Sequence, residues 1–405
     1  MESASPDLQE DFAAFHARFA GLFGRSEPRV LCGTYLRGLV SKVERRNCWQ
    51  LAEATGEPLP DAMQRLLYRT QWDADAARDI LQDYVCEQFA EPEGIGVVDE
   101  TGFVKCGRRS VGVKRQYTGT AGKVENCQVG VFLSYATSKG HALLDRRLYL
   151  PEDWCGDESR RSRAYVPAEV GFRTKPQLAL EMLQHAWQRG VPLQWVAGDE
   201  VYGDASYFRQ GVSAHGRCYV LTVSVSTAVW VQRPAVEPEQ HAANGRLRRK
   251  ARVAADAPAA TTVGKIAAAW PPTQWERITV ADGEKGPITY DWARQQVVES
   301  HEGLPGETVW LLTRRSTKDP GDLAYYLSNA PEKTPLRTLA QVATARWTIE
   351  QCFKEAKGET GLDEYEVRLW HSWHRHITLV MMAHAWLAAT RRQLPEKGGT
   401  GRRDP

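Results

Sequence analysis

Two aspartates close apolar runs: Asp99 ends GIGVVD and Asp199 ends WVAGD. A charge at the end of a buried strand is expensive to desolvate alone, and a divalent cation is one of the few partners that satisfies two such acids at once. Strand-end aspartates also serve as caps and turn formers, which is the plainer account of either one alone. A third acid sits in ARWTIEQCFKEAK, where Arg346, Glu350, Lys354 and Lys357 recur at spacings of four, four and three. At roughly 100° per residue these side chains share one stripe of a helix, while Glu355 points elsewhere. A carboxylate among three cations makes a net-positive stripe, which suits a metal-binding acid surrounded by phosphate contacts. An ordinary Glu–Lys pair on a solvated face is the alternative. The chemistry these types support is the holding of a divalent cation beside phosphate contacts.

Positioning such acids requires strands followed by a helix. Ile95–Asp99, Val111–Tyr117, Cys127–Ala136 and Leu143–Leu150 are β-rich runs separated by turn residues, and they predict consecutive, mostly antiparallel strands. Thr174 precedes an amphipathic segment ending at Gly190, and Gln194–Val201 and Tyr219–Val225 read as two further strands, so the order is α/β. Before this, Phe12, Phe15, Phe19 and Phe23 open a helical pattern that continues through Tyr35–Leu51 and Asp61–Phe89, punctuated by Pro28, Pro58 and Pro60. No recognition helix rich in Arg, Asn or Gln stands out there, so a DNA-binding unit and a plain dimerisation bundle fit equally. From 227 to 338 the pattern is turn-rich, with an Ala-rich stretch at Ala251–Thr262. Short strand candidates follow at Trp275–Val280, Ile288–Trp292, Val309–Arg314 and Ala324–Leu327. Helical periodicity returns at Leu339–Lys357 and Trp370–Arg391.

The chain of 405 residues has a formal charge of only +2, which by itself argues against a nucleic-acid partner. By region the picture changes. Residues 1–100 hold 10 Lys or Arg against 18 Asp or Glu, whereas 101–175 hold 14 against 7, and Gly245–Arg252 (GRLRRKAR) is a dense basic run. An acidic front precedes a basic body. The eight cysteines show no zinc-like spacing and are expected to be reduced and structural. His371, His374 and His376 lack a nearby cysteine or carboxylate to complete a metal site, so packing roles are expected. The longest apolar run, Ile377–Ala389, is interrupted by His384 and too short for a membrane span. No leader pattern appears near Met1, so a cytoplasmic location is expected, with no membrane partner.

The chain resembles the DDE transposases of bacterial insertion sequences, in particular the group named for insertion sequence 701. The residues that carry this are GVVDETGF (96–103), SVGVKRQYTGTAGKVENCQVGVFLSYA (110–136), LYLPEDW (148–154), AGDEVYGD (197–204), YYLSNAP (325–331) and RWTIEQCFKEAKGETGLDEYEVR (346–368). The resemblance implies a ribonuclease H-like catalytic core at 93–226 and 339–392, interrupted by a β-rich insertion at 227–338. An N-terminal helical domain at 1–92 and a flexible tail at 393–405 flank it. It also implies that Asp99, Asp199 and Glu350 are the catalytic and metal-binding acids. Arg346, Glu350 and Lys357 match the family's Tyr-x2-Arg-x3-Glu-x6-Lys signature, but Ala343 stands at the tyrosine position. Trp347 is the candidate to stack on a flipped base, with helix packing as the competing role.

The implied activity is cleavage at the element's ends and joining to target DNA, by two Mg²⁺ ions with Mn²⁺ as a substitute. The partners are double-stranded DNA at the terminal inverted repeats and target, and a second copy of the chain in a homodimeric synaptic complex on the nucleoid. Arg346, Trp347, Lys354, Lys357, Lys114, Arg115 and Lys123 are the expected DNA contacts. A catalytically silent DNA-binding relative and a metal-dependent nuclease of the same fold are the alternatives. The presence of all three acids favours activity, and the insertion with its signature helix argues against a minimal nuclease.

Overall fold

The computed structural model describes residues 8–241, 247–283 and 286–393. The start of the basic run, Gly245 and Arg246, the residues around Met1, and all of the expected tail but Gln393 lie outside them. Five helices come first: α1 (Leu8–Ala17), α2 (Ser26–Leu39), α3 (Cys48–Thr55), α4 (Asp61–Tyr68) and α5 (Ala74–Phe89). The Tyr35–Leu51 pattern is two helices rather than one, because Asn47 caps α3 by accepting hydrogen bonds from the Trp49 and Gln50 amides. Asp73 caps α5 in the same way, through the Asp75 and Ala76 amides. Phe12, Phe15 and Phe19 are buried, as their spacing predicts.

Strands β1 (Gly94–Val104), β2 (Lys114–Thr118), β3 (Lys123–Thr137) and β4 (Gly140–Leu148) follow, then helix α6 (Lys175–Gln188). Thr174 and Gln177 form a reciprocal capping box at its start. Next come β5 (Leu193–Gly198), a one-turn helix Glu200–Gly203, α7 (Ser206–Ala214) and β6 (Cys218–Val223). After a run of short strands, β7 (Glu276–Gly283), β8 (Gly286–His301), β9 (Leu304–Ser316) and β10 (Leu323–Ser328) precede α8 (Leu336–Ala345), α9 (Trp347–Thr360) and α10 (Trp370–Gln393).

Among the described residues these ten strands, with the short strands Ala228–Trp230 and Thr261–Thr262, build one twelve-stranded mixed sheet. The path runs through β8, β9, β10, β6, β5, β1, β3 and β2, with β4 also on β3 and β7 also on β8. β1, β5 and β6 are parallel neighbours, and the other pairings along this path are antiparallel. β10 pairs directly with β6, so the strands after residue 275 extend the same sheet. The protein is therefore a mixed α/β fold.

Along β1, alternate side chains serve opposite faces. Thr101 and Phe103 meet α9 and α10, with Lys357 on Thr101 and Trp373 against the Phe103 ring. Glu100 meets α6 on the other face through Lys175. No helix among the described residues is long and apolar enough to cross a membrane.

Candidate active site

The β1–β5 ladder ends at Val98↔Gly198, so Asp99 and Asp199 are the next step of two adjacent parallel strands. Gly198 permits this close approach: a Cβ there would lie 2.9 Å from Val98 Cγ2. Asp199 caps the one-turn helix, its Oδ1 accepting from the Val201 amide at 3.0 Å. Asp99 Oδ1 accepts from the Glu100 amide at 2.7 Å. Both aspartates are half-buried, and neither has an ion-pair partner among the described residues. Burial, then the neighbouring charges of Asp199 and Glu100, push the Asp99 carboxyl up to about 8. Burial, then Glu100, push Asp199 up to about 6. Both carboxyls are therefore harder to ionise than a free aspartate, each by burial and by neighbouring negative charge.

Arg346 is the group common to all three acids. It lies between α8 and α9, capping both, and so the predicted 339–357 helix is two helices that break at this residue. Its guanidinium pairs with Glu350 at 2.7 Å, one turn on. Its charge also acts on Asp99 and Asp199, opposing their upward shifts. Glu350 itself is exposed and occupied by this pairing. Among the described residues no group of three or more His, Cys, Asp or Glu is arranged to hold a metal ion. The structure thus brings the two aspartates together and leaves Glu350 beyond Arg346.

The other expected contacts divide. Lys357 is half-buried and donates to Thr101 Oγ1 at 2.9 Å, and burial pushes its ammonium down. Lys354 and Arg115 are exposed. Lys114 pairs with Asp153 at 3.1 Å and Lys123 with Glu125 at 2.9 Å, so both already have anionic partners. Trp347 is 38% exposed and meets Tyr290 edge-on. It lines a cavity of about 440 Å³ together with Asp199, Arg346, Arg314 and Tyr326. The signature position Ala343 lines the same cavity.

Sequence reasoning missed several neighbours. Glu100 accepts from Lys175 Nζ at 2.5 Å and from the buried Tyr202 hydroxyl at 2.8 Å, which makes it a third carboxylate beside the aspartates. Its adjacency to Asp99 was the one available signal, but strand alternation directs it to the opposite face. Arg314 and Tyr290 come from β9 and β8, with the guanidinium 4.5 Å from the ring centroid. Nothing local marks Arg314 as part of this cavity, or Tyr290 as the ring beside Trp347 and Arg314. The histidine cluster is structural: His371 bonds the Tyr68 carbonyl, His374 the Trp370 carbonyl and His376 the Tyr35 hydroxyl. The described cysteines are all free.

The family model for the DDE superfamily endonucleases matches residues 18–287. A probable transposase for insertion sequence element IS701 from Microchaete diplosiphon is 23% identical over 332 residues, 82% of this chain and 74% of that protein. The cryo-electron-microscopy structure of a piggyBac transposase synaptic complex with hairpin DNA overlaps 95% of this chain and 72% of its own. Its identity is 9% and its TM-score 0.43, a likeness too slight to carry an argument. The family match alone spans about two thirds of the sequence, and the chain belongs to the DDE superfamily of endonucleases, as a transposase of the insertion sequence 701 type.

Proposed function

We propose that this transposase cuts double-stranded DNA at its element's ends and joins them to a target, with Asp99, Asp199 and Glu350 as its catalytic acids. The observation that carries this is the pair of aspartates one step past the β1–β5 ladder, Asp99 within β1 and Asp199 just after β5, both raised in pKa and neither ion-paired among the described residues. The spatial order β4–β3–β1–β5–β6, with β3 antiparallel between its neighbours and β1, β5 and β6 parallel, supports a ribonuclease H-like core. In that reading residues 227–338 are an insertion that prolongs the core's own sheet.

The donor set fits a divalent cation: hard oxygen ligands whose mutual repulsion a cation relieves. Asp99 and Asp199 would hold it, and Glu350 would complete the set by turning off Arg346. When bound, two Mg²⁺ ions would supply polarisation of the phosphodiester and activation of the attacking oxygen. The chain's own groups do the rest. Glu100, anchored by Lys175 and Tyr202, keeps negative charge behind the pair. Arg346, once released by Glu350, is free to hold a phosphate oxygen in bidentate fashion. Lys354 and Arg115 are exposed to take backbone phosphates. Trp347 offers a half-open indole face beside Asp199 on which an unpaired base stacks. Two copies of the chain would hold the two element ends together.

The test is Mg²⁺-dependent cleavage of a labelled duplex carrying an element end. Asp99→Asn, Asp199→Asn and Glu350→Gln each abolish cutting while retaining gel-shift binding. Mg²⁺ also raises the thermal midpoint of the unaltered chain, by the equivalent of about 3 kcal/mol at a hundredfold excess over Kd, and not that of Asp99→Asn. An Asp199→Asn protein that still cut would remove Asp199 from the site.

A further inference from the structure

A second charged feature lies beyond the acids, at the far end of β1. A groove of about 1000 Å³ runs between the Cys106–Ser110 turn, Arg45 and the segment 363–368. Five cations line it: Arg45, Lys105, Arg108, Arg109 and Arg368. None is ion-paired to a carboxylate among the described residues, whereas Arg18, Arg173 and Arg277 elsewhere pair with Glu87, Glu181 and Asp291. Of the groove's carboxylates, Glu364 is engaged by the Arg46 amide and guanidinium. Asp363 and Glu366 remain, and the groove stays net positive. Cations that outnumber the counter-charges around them repel one another, and a polyanion relieves that repulsion.

The walls are fixed in advance. The Val111 amide donates to the Arg368 carbonyl at 2.9 Å, and Asn126 Nδ2 donates to the Gly107 carbonyl at 2.9 Å. Trp373 Nε1 donates to the Tyr365 hydroxyl, which in turn donates to Gln128, each at 3.0 Å. Lys105 Nζ sits 3.5 Å from the Tyr365 ring centroid and donates to the Tyr365 carbonyl. A groove held this way loses little entropy when it takes a ligand.

β1 supplies the geometry. Six residues separate Asp99 from Lys105, about 20 Å at ~3.3 Å per residue, which matches the axial rise of about six base pairs at ~3.4 Å each. Lys357 and Thr101 lie between the two ends.

We propose that this groove is the track for one sugar–phosphate strand of the duplex flanking the cleavage point. The proposal rests on the DNA-cutting reading above, and its test separates the two. Cys106 is exposed on the groove wall, whereas the other described cysteines are buried or half-buried. It is a natural crosslinking handle that needs no change to the groove. End-bearing duplexes with a disulfide-activated tether on successive phosphates are mixed with the full chain. Crosslinking is expected to peak with the tether about six phosphates from the cut and to vanish in Cys106→Ser. In a second arm, Arg45→Ala/Arg108→Ala/Arg368→Ala lowers the slope of log K against log salt by about 2.7, at ~0.9 per phosphate contact, and the corresponding lysine triple restores it. A chain that binds no end DNA at any salt overturns the DNA-cutting reading. A chain that cuts end DNA but never crosslinks through Cys106, or whose alanine triple keeps the full slope, overturns the groove alone.

Discussion

Asp145→Ala is the sharpest test of how the acidic helical front is joined to the sheet. Asp145, on β4, has no exposed surface, and its Oδ1 accepts from Arg78 at 2.9 Å, Arg147 at 2.9 Å and the Arg146 amide at 2.7 Å. Arg78 belongs to α5, so this one carboxylate ties the helical front to the sheet. Burial alone would raise Asp145, but the charges of Arg147, Arg78 and Arg146 outweigh it and hold the carboxyl below its ordinary range. Removing one partner of a buried charge network costs about 3–5 kcal/mol, because the remaining charges stay buried and less well paired. Arg78 keeps Asp79 at 2.7 Å and Arg146 keeps Asp75 at 2.7 Å, so the lower end, about 3 kcal/mol, applies here. For a chain of about 400 residues the unfolding entropy is roughly 0.8 kcal/mol per degree, so the midpoint should fall by about 4 °C. Scanning calorimetry measures this directly, and the loss should appear in the transition that carries the sheet. If the midpoint moved by less than about 1 °C, the network would not couple the helices to the sheet, and the reasoning would fail.

Three further outcomes are expected. Trp347→Ala should impair excision more than end binding, measured on one substrate by gel shift and by strand cleavage; equal losses would assign the indole to packing against Tyr290. Gly203→Ala should be severely destabilising, by about 3 kcal/mol, because the new Cβ would lie 1.8 Å from the Thr222 carbonyl oxygen of β6 and must push that backbone away; circular-dichroism melts check it. Burial holds the His374 and His376 imidazoles down at about 3, against 6.5 when unfolded. Between those values the unfolded chain binds the extra protons. Stability should therefore fall as pH drops below about 6.5, by about 1.4 kcal/mol per pH unit for each histidine, and His376→Gln should flatten that slope in a series of urea titrations.

Much of the local architecture was legible in the residues. The Thr174 cap, the strand that stops before Asp199 and the Arg346–Glu350 spacing all reappear as built structure, whereas the strand expected to end at Asp99 runs on to Val104 alongside β3. These features depend on neighbours within one or two turns, where side-chain period and capping chemistry dominate. The break at Arg346 was not legible, because both flanking segments share one helical period.

Which charges meet was a different matter. Glu100 finds Lys175 and Tyr202 across 75 and 102 residues, and Arg314 reaches the Asp199 cavity from β9. Lys114 and Lys123 look as free as Arg108 and Arg109 in the sequence, yet Asp153 and Glu125 occupy the first two while the last two face an open groove. By itself the sequence determined most of the elements, their apolar faces, and the placing of Asp99 on one strand and Asp199 after another. Only the tertiary structure decided that β1 and β5 lie side by side, that Arg346 stands between Glu350 and the aspartates, and which cations remain unpaired. The physical reason is that periodicity sets the face a side chain serves, whereas its partner depends on strand register and helix docking across long loops.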